Sequence, residues 1–277
     1  MAPKFLKVAV AGCLGIFSLL IASCSAAPTP PPTSVEEVAV ASPPPSASPA
    51  PTLTRTATLL PPTLTLTHTA TVTLTQALTL TPSITPVPAR IVDDFGVPMV
   101  LVPAGPFVMG TEGRARNERP AHTVTLDEYY IDQFEVSFAK FAEFLNAMGN
   151  QFEGNAHWVE VNDPDLRIHL VDGVWKADPG FENYPMVEMT WFGARAFCAW
   201  RGGRLPSEAE WEKAARGTDG RTFPWGETIS CEQANYAGCV YDALPVDSLP
   251  EGVSPYGAYH MAGNVMEWVA DWYDIHY

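Results

Sequence analysis

The stretch Arg204-Leu205-Pro206-Ser207-Glu208-Ala209-Glu210-Trp211-Glu212-Lys213-Ala214-Ala215-Arg216-Gly217 decides how the chain around it must fold. After Pro206, Ser207 and Glu210 have the S-x-x-E spacing of a capping box. In that motif the serine side chain accepts from one orphan N–H of the first helical turn and the glutamate accepts from another. The helix so opened runs through Trp211 to Arg216-Gly217. Glu208 and Glu212 stand four residues apart on one of its faces, as either an acid/base pair or a solvated face.

Two more helices lie upstream. One begins at Thr190, buries Ala196, Phe197 and Trp200, and is ended by Gly202-Gly203. Another is capped by Ser137, carries the apolar stripe Phe138, Phe141, Leu145 and Met148, and stops at Gly149. Before them, Met99-Val100-Leu101-Val102 and Phe107-Val108-Met109 flank Pro103-Ala104-Gly105 and read as a hairpin, with Thr123-Val124-Thr125-Leu126 continuing the alternation. Long stretches rich in Gly, Pro, Asn and Trp separate these elements. The expectation is an α+β domain with little regular secondary structure, of the kind that disulfides or metal ions often clip together.

The composition is uneven along the 277 residues. Residues 91–277 hold 29 of the 31 acidic side chains, only 12 of the 16 basic ones and all eight tryptophans, so the material for a core lies there. A net charge of −15 excludes a nucleic-acid partner bound through bulk positive charge. Residues 24–90 are Pro/Thr/Ser-rich, almost uncharged and without an aromatic side chain, which predicts a disordered tether. Thr63-Leu64-Thr65-Leu66-Thr67 mimics a strand, but Pro61, Pro62 and Pro82 bracket it.

Lys4 and Lys7 precede an apolar run from Val8 to Ser23, the pattern of an export signal over residues 1–23. Its end, Leu20-Ile21-Ala22-Ser23-Cys24, resembles the lipobox of bacterial lipoproteins. There Cys24 would become the mature N-terminus and carry diacylglycerol, which places the chain outside the cytosol, anchored to the membrane or cell surface by its lipid. An ordinary signal with a cysteine near its cleavage site is the plainer alternative. Cys13 would leave with the signal.

Three cysteines remain. Cys231 and Cys239 are near enough in sequence to close a small disulfide loop, the alternative being a thiolate metal pair, although no C-x-x-C or H-x-x-x-H spacing accompanies them. Cys198, between Phe197 and Trp200, reads as a small buried hydrophobe. No G-x-S-x-G, P-loop or G-x-G-x-x-G is present, so the hydrolase-elbow, nucleotide-hydrolysing and dinucleotide-binding classes have no support.

The run from Arg204 to Gly217 resembles the signature R-L-P-[TS]-E-A-E-W-E-x-A-A-R-G of the formylglycine-generating enzyme family, the sulfatase-modifying factors. Other family segments stand in order. Phe107-Val108-Met109-Gly110, Glu118-Arg119-Pro120, Glu135-Val136-Ser137 and Pro185-Met186-Val187 precede it; Pro224-Trp225-Gly226, Ala234-Asn235 and Gly263-Asn264-Val265-Met266-Glu267-Trp268 follow it. The resemblance implies a C-type lectin-like fold over residues 91–277, often stabilised by calcium. In catalytic members it implies oxidation of a sulfatase cysteine to formylglycine at copper(I) held by two thiolates, so a protein or peptide would be the substrate or ligand.

The family places those thiolates after an R-G-G-S-W segment that follows G-N-V-x-E-W, and closes with a G-F-R strand. Residues 269–277 hold neither segment. The expectation is therefore an incomplete domain, its C-terminal part missing and its copper ligands absent, inactive in that oxidation. A non-catalytic lectin-like binding module on a lipid-anchored stalk is the alternative. Two calcium sites carry over in part. One is Asn235 with the Tyr236 carbonyl. The other is Gly263 and Val265 by carbonyl and Glu267 by carboxylate, where His260 replaces an expected oxygen ligand and Glu267 alternatively reads as a helix-face carboxylate beside Asp271.

Overall fold

The computed structural model describes residues 20–22, 24–26, 87–113 and 118–273, which belong to one compact unit. The body of the export signal with Cys13, and the tether from 27 to 86, lie outside the described residues.

In chain order the elements are β1 (Leu20–Ala22), β2 (Ser25–Ala26), β3 (Arg90–Val92), β4 (Pro98–Val102), β5 (Gly105–Met109), β6 (His122–Leu126) and β7 (Tyr129–Asp132). There follow α1 (Phe138–Met148), β8 (Phe152–Glu153), β9 (Ala156–His157), β10 (Ile168–Val171), β11 (Val174–Ala177), α2 (Trp191–Trp200), α3 (Glu208–Arg216) and β12 (Met266–Trp268). The central sheet is antiparallel in the order β2-β7-β4-β3, and β1 pairs with β12 in parallel. Strand β3 brings Arg90 into the sheet, and β2 brings residues 25 and 26 there, so two pieces assigned by composition to the tether are part of the folded unit.

The expected hairpin around Pro103-Ala104-Gly105 does not form. Strand β4 pairs with β3 and β7, while β5 pairs with β6. The reason lies in α3, where the ammonium of Lys213, a side chain almost wholly buried, donates to the carbonyls of Pro103 at 2.7 Å and Gly105 at 2.9 Å. Those carbonyls face a cation instead of closing a turn, and the chain leaves one sheet to start another.

Helices α1 and α2 begin as their caps require: Ser137 accepts from Lys140 N and Thr190 accepts from Gly193 N. They share the larger core. Phe141 stacks on Phe197 with centroids 5.4 Å apart, and Phe144 meets Phe197 edge-on at 5.6 Å. Each of these rings is fully buried, which stabilises by about 1.5–3 kcal/mol per side chain. Phe144, not Met148, completes the buried stripe of α1, since Met148 lies in the exposed last turn. On α2 the buried set is Gly193, Ala194, Phe197 and Cys198, with Ala196 and Trp200 only partly covered. Gly193 is required there, because a Cβ would lie 2.5 Å from the Trp158 carbonyl oxygen.

The capping box of α3 is complete: Glu210 N donates to Ser207 Oγ and Ser207 N donates to Glu210 Oε2. Arg204 reaches over the cap and donates to both Glu210 oxygens at 2.7 Å. Ala214 and Ala215 pack against Val100, Val102, Tyr129 and Ile131, so the signature helix lies on the central sheet.

Candidate functional site

The loops that carry the family motifs converge on one buried carboxylate. Glu135, between β7 and α1, is covered by its neighbours and receives the side-chain amide of Asn264 at 3.2 and 2.9 Å. Burial pushes its pKa well above the ordinary value and the charge of Glu267 pushes the same way, while the bonds from Asn264 and the Val265 backbone N–H pull it back. Glu267 itself is oriented by the indole N–H of Trp211, which donates to Oε2 at 2.8 Å. The signature helix and the Gly263–Trp268 motif thus meet through one hydrogen bond.

Asn264 is the hub. Its Oδ1 accepts from Leu244 N at 2.8 Å and from Asn235 Nδ2 at 3.3 Å, and its backbone N–H donates to the Asn235 carbonyl. Gly263 and Asn264 both have positive φ, +91° and +59°, which turns the chain tightly enough for this contact. Sequence reasoning picked Gly263, Val265, Glu267 and Asn235 and passed over Glu135 and Asn264. Glu135 left a signal, a lone acid between Phe134 and Val136 just before a helix cap.

Asn235 and Tyr236 are placed differently from the calcium expectation. Asn235 Oδ1 accepts from Val240 N at 3.1 Å, and the Tyr236 carbonyl accepts from Cys239 N at 2.8 Å. Each oxygen accepts one hydrogen bond within the loop that the Cys231–Cys239 disulfide closes, which leaves a second lone pair on each. Glu267, with the carbonyls of Gly263 and Val265 and with Glu135 alongside, fits better. One buried and one half-buried carboxylate repel each other here, and a cation between their oxygens would relieve that repulsion. Among the described residues no three His, Cys, Asp or Glu side chains gather as a metal-binding group. His260 is buried too, and burial lowers its pKa to about 4 against the opposing pull of the Pro245 carbonyl and Asp247.

The remaining thiols are also paired: Cys24 is joined to Cys198 in a second disulfide. Cys198 is fully buried, as read from the sequence, yet it is a bonding partner and not a mere space-filler. A cavity of about 170 Å³ is lined by Pro98, Glu135, Lys140, Asn183, Phe197 and Arg201 among others. The face shared by Glu208 and Glu212 is partly packed and not simply solvated. Glu212 accepts from Gly110 N and pairs with Arg216, while the pKa of Glu208 is raised by burial and by its acidic neighbours Glu212 and Asp271.

Residues 93–277 match the family described as the sulfatase-modifying factor enzyme 1-like domain. The chain is similar to the formylglycine-generating enzyme of Mus musculus, 33% identical over 220 residues that cover 65% of this chain and 59% of that protein. It is also similar to the serine/threonine-protein kinase Pkn1 of Chlamydia trachomatis serovar L2, 39% identical over 177 residues that cover 63% of this chain and 28% of that protein. It therefore spans less than two thirds of either relative. Among solved structures, PvdO from Pseudomonas aeruginosa matches with a TM-score of 0.54 and 30% identity, over 70% of this chain and 78% of that one. The chain belongs to the sulfatase-modifying factor family and has its fold.

Proposed function

We propose that this chain displays a sulfatase-modifying factor domain outside the cytosol on a lipid-anchored tether, and that its 277 residues engage a protein or peptide without oxidising a cysteine to formylglycine. The family membership and the relative named formylglycine-generating enzyme support the scaffold part of the reading. Export and anchoring rest on the Lys4–Cys24 pattern.

The observation that carries the non-oxidising part is the pairing of the cysteines. Copper(I) needs soft thiolate donors; Cys231 and Cys239 are joined to each other, and Cys198, joined to Cys24 here, would be a single thiol in a chain whose Cys24 carries lipid. Either way, the described residues hold no thiolate pair for copper. Calcium at Glu267, with Glu135 and the carbonyls of Gly263 and Val265, would supply positive charge and hold two motif loops together. The test is to incubate the full chain with copper(I), dioxygen and a sulfatase-type cysteine peptide, and to capture any aldehyde with a hydrazide. No aldehyde is expected; copper-dependent aldehyde overturns the reading.

A lectin-like binding module is the second reading. It is favoured by the match to 28% of the serine/threonine-protein kinase Pkn1, where the scaffold accompanies a different activity by name. Retention of the full chain on immobilised glycans and not on cysteine peptides would select it.

A further inference from the structure

Leu20-Ile21-Ala22-Ser23-Cys24 reads as a lipid-attachment sequence, and the fold uses the same cysteine in another way. Residues 24–26 lie in a slot between β7 and the Gly203-Arg204 turn. On one side Asp132 N donates to the Cys24 carbonyl at 2.9 Å and Cys24 N donates to Asp132 Oδ2 at 3.2 Å. On the other, Ser25 N donates to the Arg204 carbonyl at 2.8 Å and Arg204 N donates to the Ser25 carbonyl at 3.1 Å. Gly203 leaves room for this strand, since a Cβ there would lie 3.0 Å from the Ser25 oxygen. At the floor of the slot, Cys24 is bonded to Cys198 of α2.

Cys24 and Ser25 are 1% and 0% exposed. A sulfur in a disulfide has no bond left for a lipid, and diacylglycerol has no room in a slot this closed. The occupant is also imperfectly matched. Ser25 Oγ is buried without a hydrogen-bond partner, which favours release of the strand.

We propose that Cys24 has two mutually exclusive fates and that Cys198 is the competitor that decides between them. A chain that folds around residues 24–26 and oxidises the pair is withheld from lipid attachment. A chain lipidated first keeps Cys198 as a thiol and leaves the β7 edge of the slot open. In the first fate the two thiols lose two protons and two electrons to the disulfide of an exchange partner, which becomes a dithiol. In the second, the Cys24 thiol loses its proton to solvent, an S–C bond forms to the diacylglycerol of a glycerophospholipid donor, and the C–O bond to its headgroup breaks, the headgroup leaving as a phosphate monoester. Only the second fate rests on the lipid-anchor reading.

The test uses the full chain expressed in a bacterium with labelled palmitate. Thiols are trapped by acid quench and alkylation, and peptides are mapped by mass spectrometry without reduction. The expected result is two wild-type pools: labelled chains with Cys198 alkylated, and unlabelled chains containing the Cys24–Cys198 linked peptide. Cys198→Ala should raise the labelled fraction, and the wild-type pools decide the matter even where that variant folds poorly. Unlabelled chains with both cysteines alkylated overturn the latch. Linked peptide with no palmitate in wild type or variant overturns the lipid reading, and the competition with it, while leaving the disulfide in place.

Discussion

Asp132 and Arg201 form a two-point ion pair inside the protein, with Nη1 2.7 Å from Oδ2 and Nη2 2.9 Å from Oδ1. The side chains are 0% and 2% exposed, and Arg201 Nε also donates to Asp93 at 2.8 Å. Burial raises the Asp132 pKa, and the charge and hydrogen bonds of Arg201 oppose it. Removing one partner strands the other in a medium that solvates charge poorly. Asp132→Ala or Arg201→Ala is therefore expected to cost about 3–5 kcal/mol, whereas Asp132→Leu with Arg201→Met should cost much less than the two single losses together. Urea denaturation of the three variants reads this directly; single variants within about 1 kcal/mol of wild type would mean the pair is hydrated.

The start of α3 gives a graded series. Ser207→Ala removes one acceptor for one orphan N–H and should cost about 1 kcal/mol. Glu210→Ala removes the acceptor for Ser207 N and also both bonds from Arg204, so it should cost more than Ser207→Ala. Glu210→Gln keeps one acceptor oxygen and should fall between them. The denaturant midpoints should fall from Ser207→Ala through Glu210→Gln to Glu210→Ala, with unchanged slopes.

That helix was legible in the sequence because its signals are local: cap, box and stop fall within one turn of the residues they serve. The same holds for the Ser137 and Thr190 caps. The Pro103-Ala104-Gly105 turn was misread because its partner is Lys213, more than a hundred residues away, and no local pattern reports a distant ammonium. The site divides in the same way. Gly263, Val265 and Glu267 lie within a motif and could be named in advance. Glu135 and Asn264 matter because loops far apart in sequence meet, as does the Cys24–Cys198 bond across 174 residues.

Gly263 tests the packing of the candidate site. Its φ is +91°, and a Cβ would stand 2.5 Å from the Asn235 carbonyl oxygen, a backbone atom that cannot swing away. Gly173 has a φ of +78° with open space around it. Gly173→Ala should cost about 1 kcal/mol of backbone strain, while Gly263→Ala adds the clash and should cost about 2 kcal/mol or more. If calcium binds at Glu267, it should also raise the thermal midpoint of wild type more than that of Glu267→Gln.

His260 contributes to the acid limb of stability. Its pKa is about 4 in the folded protein, against 6.5 ordinarily, because burial disfavours the charged ring. Between those values the unfolded chain binds the proton more readily. The contribution is therefore present in full above 6.5 and is lost as pH falls through 4, amounting to at most about 3 kcal/mol. Glu135 runs the other way. Its raised pKa gives stability that is present below its ordinary 4.5 and is lost as pH rises through its folded value. The two slopes partly cancel in wild type. His260→Asn removes the first slope, and asparagine tolerates the φ of +52° that His260 adopts. Urea midpoints measured from pH 7 to pH 4 should fall less steeply for this variant than for wild type, and parallel curves would mean that His260 titrates normally in the folded state.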